Sequence, residues 1–132
     1  MDGMTIEIQV LGWAGLLAAA QVILATIPAN LQLGSPYLAS ARDEQRPLSG
    51  IPARLDRAFR NHLEGLLLFA VAVVTVTLAG AASPLTEGCA LAYLAARIVY
   101  VPLYAFGVPW LRTLVWAVGF VATILMLLAA LF

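Results

Sequence analysis

Lysine is absent from these 132 residues, cysteine and histidine occur once each, and charged residues make up only 11% of the chain. Each shortage excludes a class of chemistry. Without lysine there is no Schiff-base catalysis by that side chain. One cysteine cannot close an intramolecular disulfide, and one cysteine with one histidine cannot supply a zinc or redox-pair site. A formal net charge of zero gives no electrostatic footprint for nucleic acid. Neither a Ser/His/Asp constellation nor a phosphate-cradling glycine loop is present, and no repeat or low-complexity tract occurs.

What is abundant is apolar surface: 63% of residues are hydrophobic and the mean hydropathy is +0.96. A soluble domain of this length has too much surface for its volume to hide so many apolar groups. Residues 1–132 therefore read as one membrane-embedded domain. The N-terminus carries Asp2 and Glu7 and no basic residue, so it lacks the charged region of a signal peptide. Its apolar stretch is also too long for one, and it reads as a retained first span.

Crossing the hydrocarbon core takes roughly 20 apolar helical residues. Four segments qualify, at about 8–27, 63–82, 88–106 and 111–132, which gives an all-α, up-down four-helix bundle. The first contains Gln9 and Gln21 as its strongly polar side chains and has Pro28 near its end. Between the first two spans, residues 34–55 are polar, rich in Gly, Pro and Ser, and too broken for a long helix. Ser83, Pro84 and Leu85 form a tight turn, with Thr86 the expected N-cap and Glu87 favourable beside the positive helix end. Gly107, Val108 and Pro109 turn the chain before the last span.

Arginine sets the orientation. Arg42, Arg46, Arg54, Arg57 and Arg60 lie between or beside spans one and two, and Arg112 lies between spans three and four. The opposite side holds Asp2, Glu7 and Glu87 and no basic residue. The positive-inside rule then places both arginine-bearing connections in the cytoplasm and both termini outside.

Two stretches carry candidate chemistry. In "RAFRNHLE", residues 57–64, the positions Arg57, Arg60, Asn61 and Glu64 fall at i, i+3, i+4 and i+7, one face of a helix. In "ARIVYVPLY", Arg97, Tyr100 and Tyr104 again share a face, with Pro102 in the same turn. An arginine inside a membrane helix costs several kcal/mol and faces protein or a water-filled cavity. Spans two and three are antiparallel, so the two stripes share a depth and can meet. Blander readings stand beside this one. Arg54, Arg57 and Arg60 are also suited to snorkelling onto headgroups, Arg97 with Glu64 to a structural ion pair, and the tyrosines to an aromatic belt. Two facing stripes at one depth favour a cytoplasm-facing polar cavity.

Other residues fit packing roles. His62 points to a different side of its helix from Asn61 and suits packing or headgroup contact. Cys89 reads as a small buried apolar residue. Gly12, Gly15, Ala18 and Ala19 give span one a small face for close helix packing, and Trp13, Trp110 and Trp116 suit packing or the interface.

"ARDEQ", then "RAFRNHLEGLLLF", then "LAARIVYVPLY", followed by Arg112, resembles the MAPEG family, the membrane-associated proteins in eicosanoid and glutathione metabolism. The R-x-x-R-N-x-x-E element is the most specific part, and the length and four-span layout agree over the whole chain. The resemblance implies a left-handed four-helix bundle assembling as a homotrimer, with glutathione as co-substrate between subunits and open to the cytoplasm. It implies Arg57, Arg60, Asn61, Glu64, Arg97, Tyr100 and Tyr104 as glutathione ligands and Arg112 as the catalytic arginine facing the thiol. The electrophile would be small and hydrophobic, entering from membrane lipid. The loop and short C-terminus are similar to the bacterial branch, which implies an inner-membrane location. Where several catalytic relatives carry one more arginine at the end of span one, this chain has Asn30, Gln32 and Gly34, leaving Arg42 or Arg46 as replacements. The family also implies an alternative, a non-catalytic membrane protein binding a lipid or a partner protein. A small transporter fits less well, since no span carries paired breaks at the midplane.

Overall fold

Every expected span forms a helix, and each is longer than its apolar stretch. In the computed structural model, which describes residues 3–132, the elements are α1 (Ile6–Leu33), α2 (Ser35–Ala39), α3 (Gly50–Leu78), α4 (Pro84–Ala105) and α5 (Pro109–Leu131). Asp2, one of the acids in the orientation argument, lies outside the described residues. All but α2 are long and apolar enough to cross a membrane. Exposed Leu, Ile, Val, Phe and Trp side chains cover their outer faces, a surface that water would not tolerate at this size. The chain is an integral membrane protein of all-α class.

The ends of the helices explain the added length. Thr5 caps α1, its hydroxyl accepting from the Ile8 N–H at 3.4 Å. Pro28 does not end this helix, which continues to Leu33, because an interior proline removes one backbone bond and need not stop the chain. Beyond it Gln32 pairs with Ser49. The Gln32 side-chain oxygen Oε1 accepts from the Ser49 N–H at 2.8 Å, and the Gln32 Nε2 donates to the Ser49 backbone carbonyl at 3.2 Å. This clasp ties the end of α1 to the start of α3, so the polar loop is shorter than the sequence suggests and α3 starts at Gly50. The cap of α4 is Ser83, with Pro84 at the first helical position. Thr86, expected at the cap, is instead its capping-box partner: it accepts from the Ser83 N–H at 2.8 Å and donates to Glu7.

α3 and α4 form the centre of the bundle. α1 packs on both, α5 packs on both, and the backbones of α1 and α5 do not come close among the described residues. Val10, Ala14, Phe69, Ala72, Val73, Ala90, Tyr93 and Met126 build the core, with Cys89 buried in it as expected. Phe69 and Tyr93 stack with ring centres 3.9 Å apart. The small face expected on α1 divides: Ala18 is buried against the bundle, whereas Gly12, Gly15 and Ala19 point outward.

Candidate functional site

The polar stripe of α3 lies to one side of its core residues, along the edge that borders α4. Arg57, Arg60 and Glu64 are exposed and Asn61 is half-buried, while Ala58, His62 and Phe69 face inward. The four residues do not act as one face. Arg60 forms an exposed ion pair with Asp56 at 3.1 Å and lines a groove beside α1. Asn61 and Glu64 line a cavity between α3, α4 and α5, of about 190 Å³, together with Tyr93, Arg97, Trp116 and Phe120.

Arg97 is the deepest charge in this group, only 3% exposed. Its Nη1 donates to the Asn61 side-chain oxygen at 2.9 Å and its Nε to His62 Nδ1 at 3.3 Å. The guanidinium also lies 4.6 Å from the centre of the Tyr100 ring, a cation–π contact. No carboxylate reaches it: the ion pairs among the described residues are Arg46–Glu44 and Arg60–Asp56. The structural Arg97–Glu64 pair considered from the sequence does not form. Arg97 Nη2 and the Tyr93 hydroxyl are buried without hydrogen-bond partners, and both residues line the same cavity. A buried cation held by neutral groups alone, with a donor to spare, suits an anionic ligand.

A second cluster gathers around Tyr104. Arg57 Nε donates to the Tyr104 hydroxyl at 3.0 Å, the Arg112 guanidinium stands 4.5 Å from its ring centre, and the Tyr100 ring lies 5.5 Å away. The α3 and α4 stripes therefore meet twice, at Asn61–Arg97 and at Arg57–Tyr104. Arg112 lies in the first turn of α5, where the helix dipole adds to its own positive charge and both favour an anion. It lines a small cavity with Asn61, Tyr100, Thr113 and Trp116. Asn61 and Trp116 border this space and the Arg97 cavity alike, so the two arginines flank neighbouring spaces.

A comparison with known families matches residues 10–132, nearly the whole chain, to one described as the MAPEG family. The chain belongs to the MAPEG family. No curated protein and no solved structure matches it. MAPEG proteins include glutathione transferases and peroxidases as well as members without catalytic activity. In this MAPEG chain Arg42 and Arg46, the candidates for the missing first-helix arginine, line the groove with Asn30, Arg57 and Arg60. The loop folds back over the end of α1, so both stand in one groove with Asn30. Arg54 is not a free headgroup anchor. Its Nη1 approaches the Ala105 carbonyl at 3.5 Å and its guanidinium packs on Gly107, a cation at the negative end of α4.

Sequence reasoning placed His62 among packing residues and missed its bonds. The ring is fully buried, with Nε2 3.0 Å from the Ala14 carbonyl on α1 and Nδ1 accepting from Arg97 on α4. The two bonds fix the tautomer with hydrogen on Nε2, so one neutral imidazole joins three helices. A lone histidine beside a membrane arginine was the available signal. Glu7 was missed in the same way: read as an outer-side charge, it is fully buried and bonded by Thr86. We expect His62→Ala to cost on the order of 3 kcal/mol, since it strands Arg97 Nε and opens a void. His62→Gln should recover part of the loss. Thermal unfolding in detergent measures both, and an unchanged midpoint for the alanine variant would contradict the assignment.

Proposed function

We propose that this MAPEG protein is a glutathione-dependent transferase or peroxidase of the bacterial inner membrane, acting on small hydrophobic electrophiles. One observation carries the reading: Arg97, buried without a carboxylate, shares a cavity with Glu64 and has a guanidinium donor still unpartnered. Glutathione offers two carboxylates and an ammonium group. Guanidinium groups of Arg57, Arg60 and Arg97 bind the carboxylates, with Asn61, Tyr100 and Tyr104 orienting them, and Glu64 accepts from the ammonium. Arg112 stabilises the thiolate, which attacks an electrophile arriving from the lipid. A thiol of ordinary pKa near 8.5 is mostly protonated at neutral pH, and each unit of lowering needs about 1.4 kcal/mol.

The site is completed by a second subunit in a homotrimer, with the arginine-rich end in the cytoplasm and both termini outside. Support comes from Glu64, an exposed carboxylate on a membrane helix, which hydrocarbon would not accommodate. The uncovered faces of α1 and α5 supply surface for such an assembly. Native mass measurement in detergent should give trimers, and a monomer that keeps full activity would contradict the intersubunit site.

Ligand-linked stability tests the reading directly. Glutathione at 100 times its dissociation constant should add about 2.7 kcal/mol to the folded state, seen as a rise in melting temperature. No shift with glutathione, together with a shift for a lipid carboxylate, would favour the non-catalytic reading.

A further inference from the structure

The groove between the end of α1, α2, the following loop and the start of α3 has a volume of about 460 Å³. Arg42, Arg46, Arg57 and Arg60 line it, and Asp56 is the sole carboxylate among its described lining residues. Arg60 pairs with Asp56 and Arg46 with Glu44 at 3.4 Å, so Arg42 and Arg57 are without a carboxylate among the described residues and the cleft keeps a net positive charge. Its depth says which anions can reach it. A 28-residue helix such as α1 is about 42 Å long, against roughly 30 Å for the hydrocarbon core. The apolar run of α3 starts only at Leu63, so the turns before it, which carry Asp56, Arg57 and Arg60, reach the level of the lipid headgroups.

The loop that brings Arg42 and Arg46 here is built, not loose. The Tyr37 hydroxyl donates to the Glu44 carbonyl at 2.7 Å and accepts from the Arg46 N–H at 2.9 Å. The Arg46 guanidinium rests 4.7 Å from the Tyr37 ring centre. Arg42 adopts a left-handed backbone (φ 57°) and donates twice to the Leu38 carbonyl, at 2.7 and 3.0 Å. A guanidinium has five N–H donors, so each arginine keeps donors for a ligand. Ala25 and Ala29 of α1 form an apolar floor beneath them.

We propose that this groove binds the phosphate of an anionic phospholipid from the arginine-side leaflet, with Arg42 and Arg46 as its principal ligands. Guanidinium pairs match the two free oxygens of a phosphodiester. A basic pocket between membrane helices at this level favours a net-negative headgroup. A zwitterionic headgroup brings an ammonium that four guanidinium groups repel. On this proposal Arg42 and Arg46 serve the lipid instead of replacing the first-helix arginine, and Arg57 and Arg60 form a wall shared with the glutathione site.

The test compares the protein in bilayers of phosphatidylcholine alone and in bilayers containing a minor fraction of phosphatidylglycerol. The wild type should melt at higher temperature with phosphatidylglycerol, and soluble glycerol phosphate in phosphatidylcholine bilayers should give no shift. The double variant Arg42→Gln/Arg46→Gln should lose the lipid shift while melting in phosphatidylcholine alone as the wild type does. Overturning results are an equal shift in the double variant, no shift in the wild type, or an equal shift with glycerol phosphate, which would mark a free-phosphate site. Should the double variant fail to fold, native mass spectrometry of the wild type from mixed micelles decides. Retention of phosphatidylglycerol about tenfold over phosphatidylcholine is expected for a headgroup-selective pocket, and equal retention overturns the proposal.

Discussion

Replacing Arg112 by alanine should lower turnover with glutathione by about 10²–10³-fold, the usual loss when one preorganised group facing a reacting anion is removed. Apparent glutathione affinity should change far less. The distinction follows from where charge changes during reaction. Arg112 stands in the first turn of α5 without a carboxylate partner among the described residues, so in the proposed site its charge and the helix dipole would act together on the sulfur. In the proposed site Arg60 and Glu64 would hold parts of glutathione that stay the same from ground state to transition state, and their loss should raise KM. Arg112→Lys keeps the charge without the planar guanidinium and its stacking on Tyr104, so intermediate turnover is expected. Steady-state kinetics per folded protein check this, and reduced expression with normal turnover would reassign Arg112 to headgroup anchoring.

Arg97→Met should separate stability from function in the opposite direction to most core substitutions. A buried guanidinium with no carboxylate is expensive to the fold, and a methionine of similar length removes that expense. It also strands His62 Nδ1 and the Asn61 oxygen, a cost of about 1–3 kcal/mol. The two effects oppose, and the ligand-free variant should melt within about 2 kcal/mol of the wild type. Glutathione affinity should fall by about 10²-fold, because a ligand carboxylate loses its buried charged partner. Melting curves with and without glutathione give both numbers. A large loss of ligand-free stability with an undiminished glutathione shift would make Arg97 a structural residue.

The four spans were legible because composition and apolar length decide them, whereas their ends were not. The clasp between Gln32 and Ser49 adds a turn to α1 and starts α3 early through a contact 17 residues apart in sequence, which no local pattern reports. The facing of the α3 and α4 stripes followed from spacing and antiparallel order. The division of the α3 stripe did not. Arg60 and Asn61 are adjacent in sequence and so about 100° apart around the helix, enough to put one in the groove beside α1 and the other in the cavity by α4. Helical spacing defines an arc, and the neighbouring helices decide which space each edge of it enters. Tyr93 escaped because its partner Phe69 carries no polar signal, and His62 because its partners, the Ala14 carbonyl and Arg97, lie on two other helices.

The central claim is that this protein binds glutathione and ionises its sulfur, and the ultraviolet absorbance of the thiolate measures that claim most directly. Titrating glutathione with wild-type protein at neutral pH should raise the thiolate band to a saturating value, and the same titration with Arg112→Ala should leave it near the level of free glutathione. A wild type that gives no thiolate band at saturating glutathione, or an alanine variant that gives an undiminished one, would contradict the account.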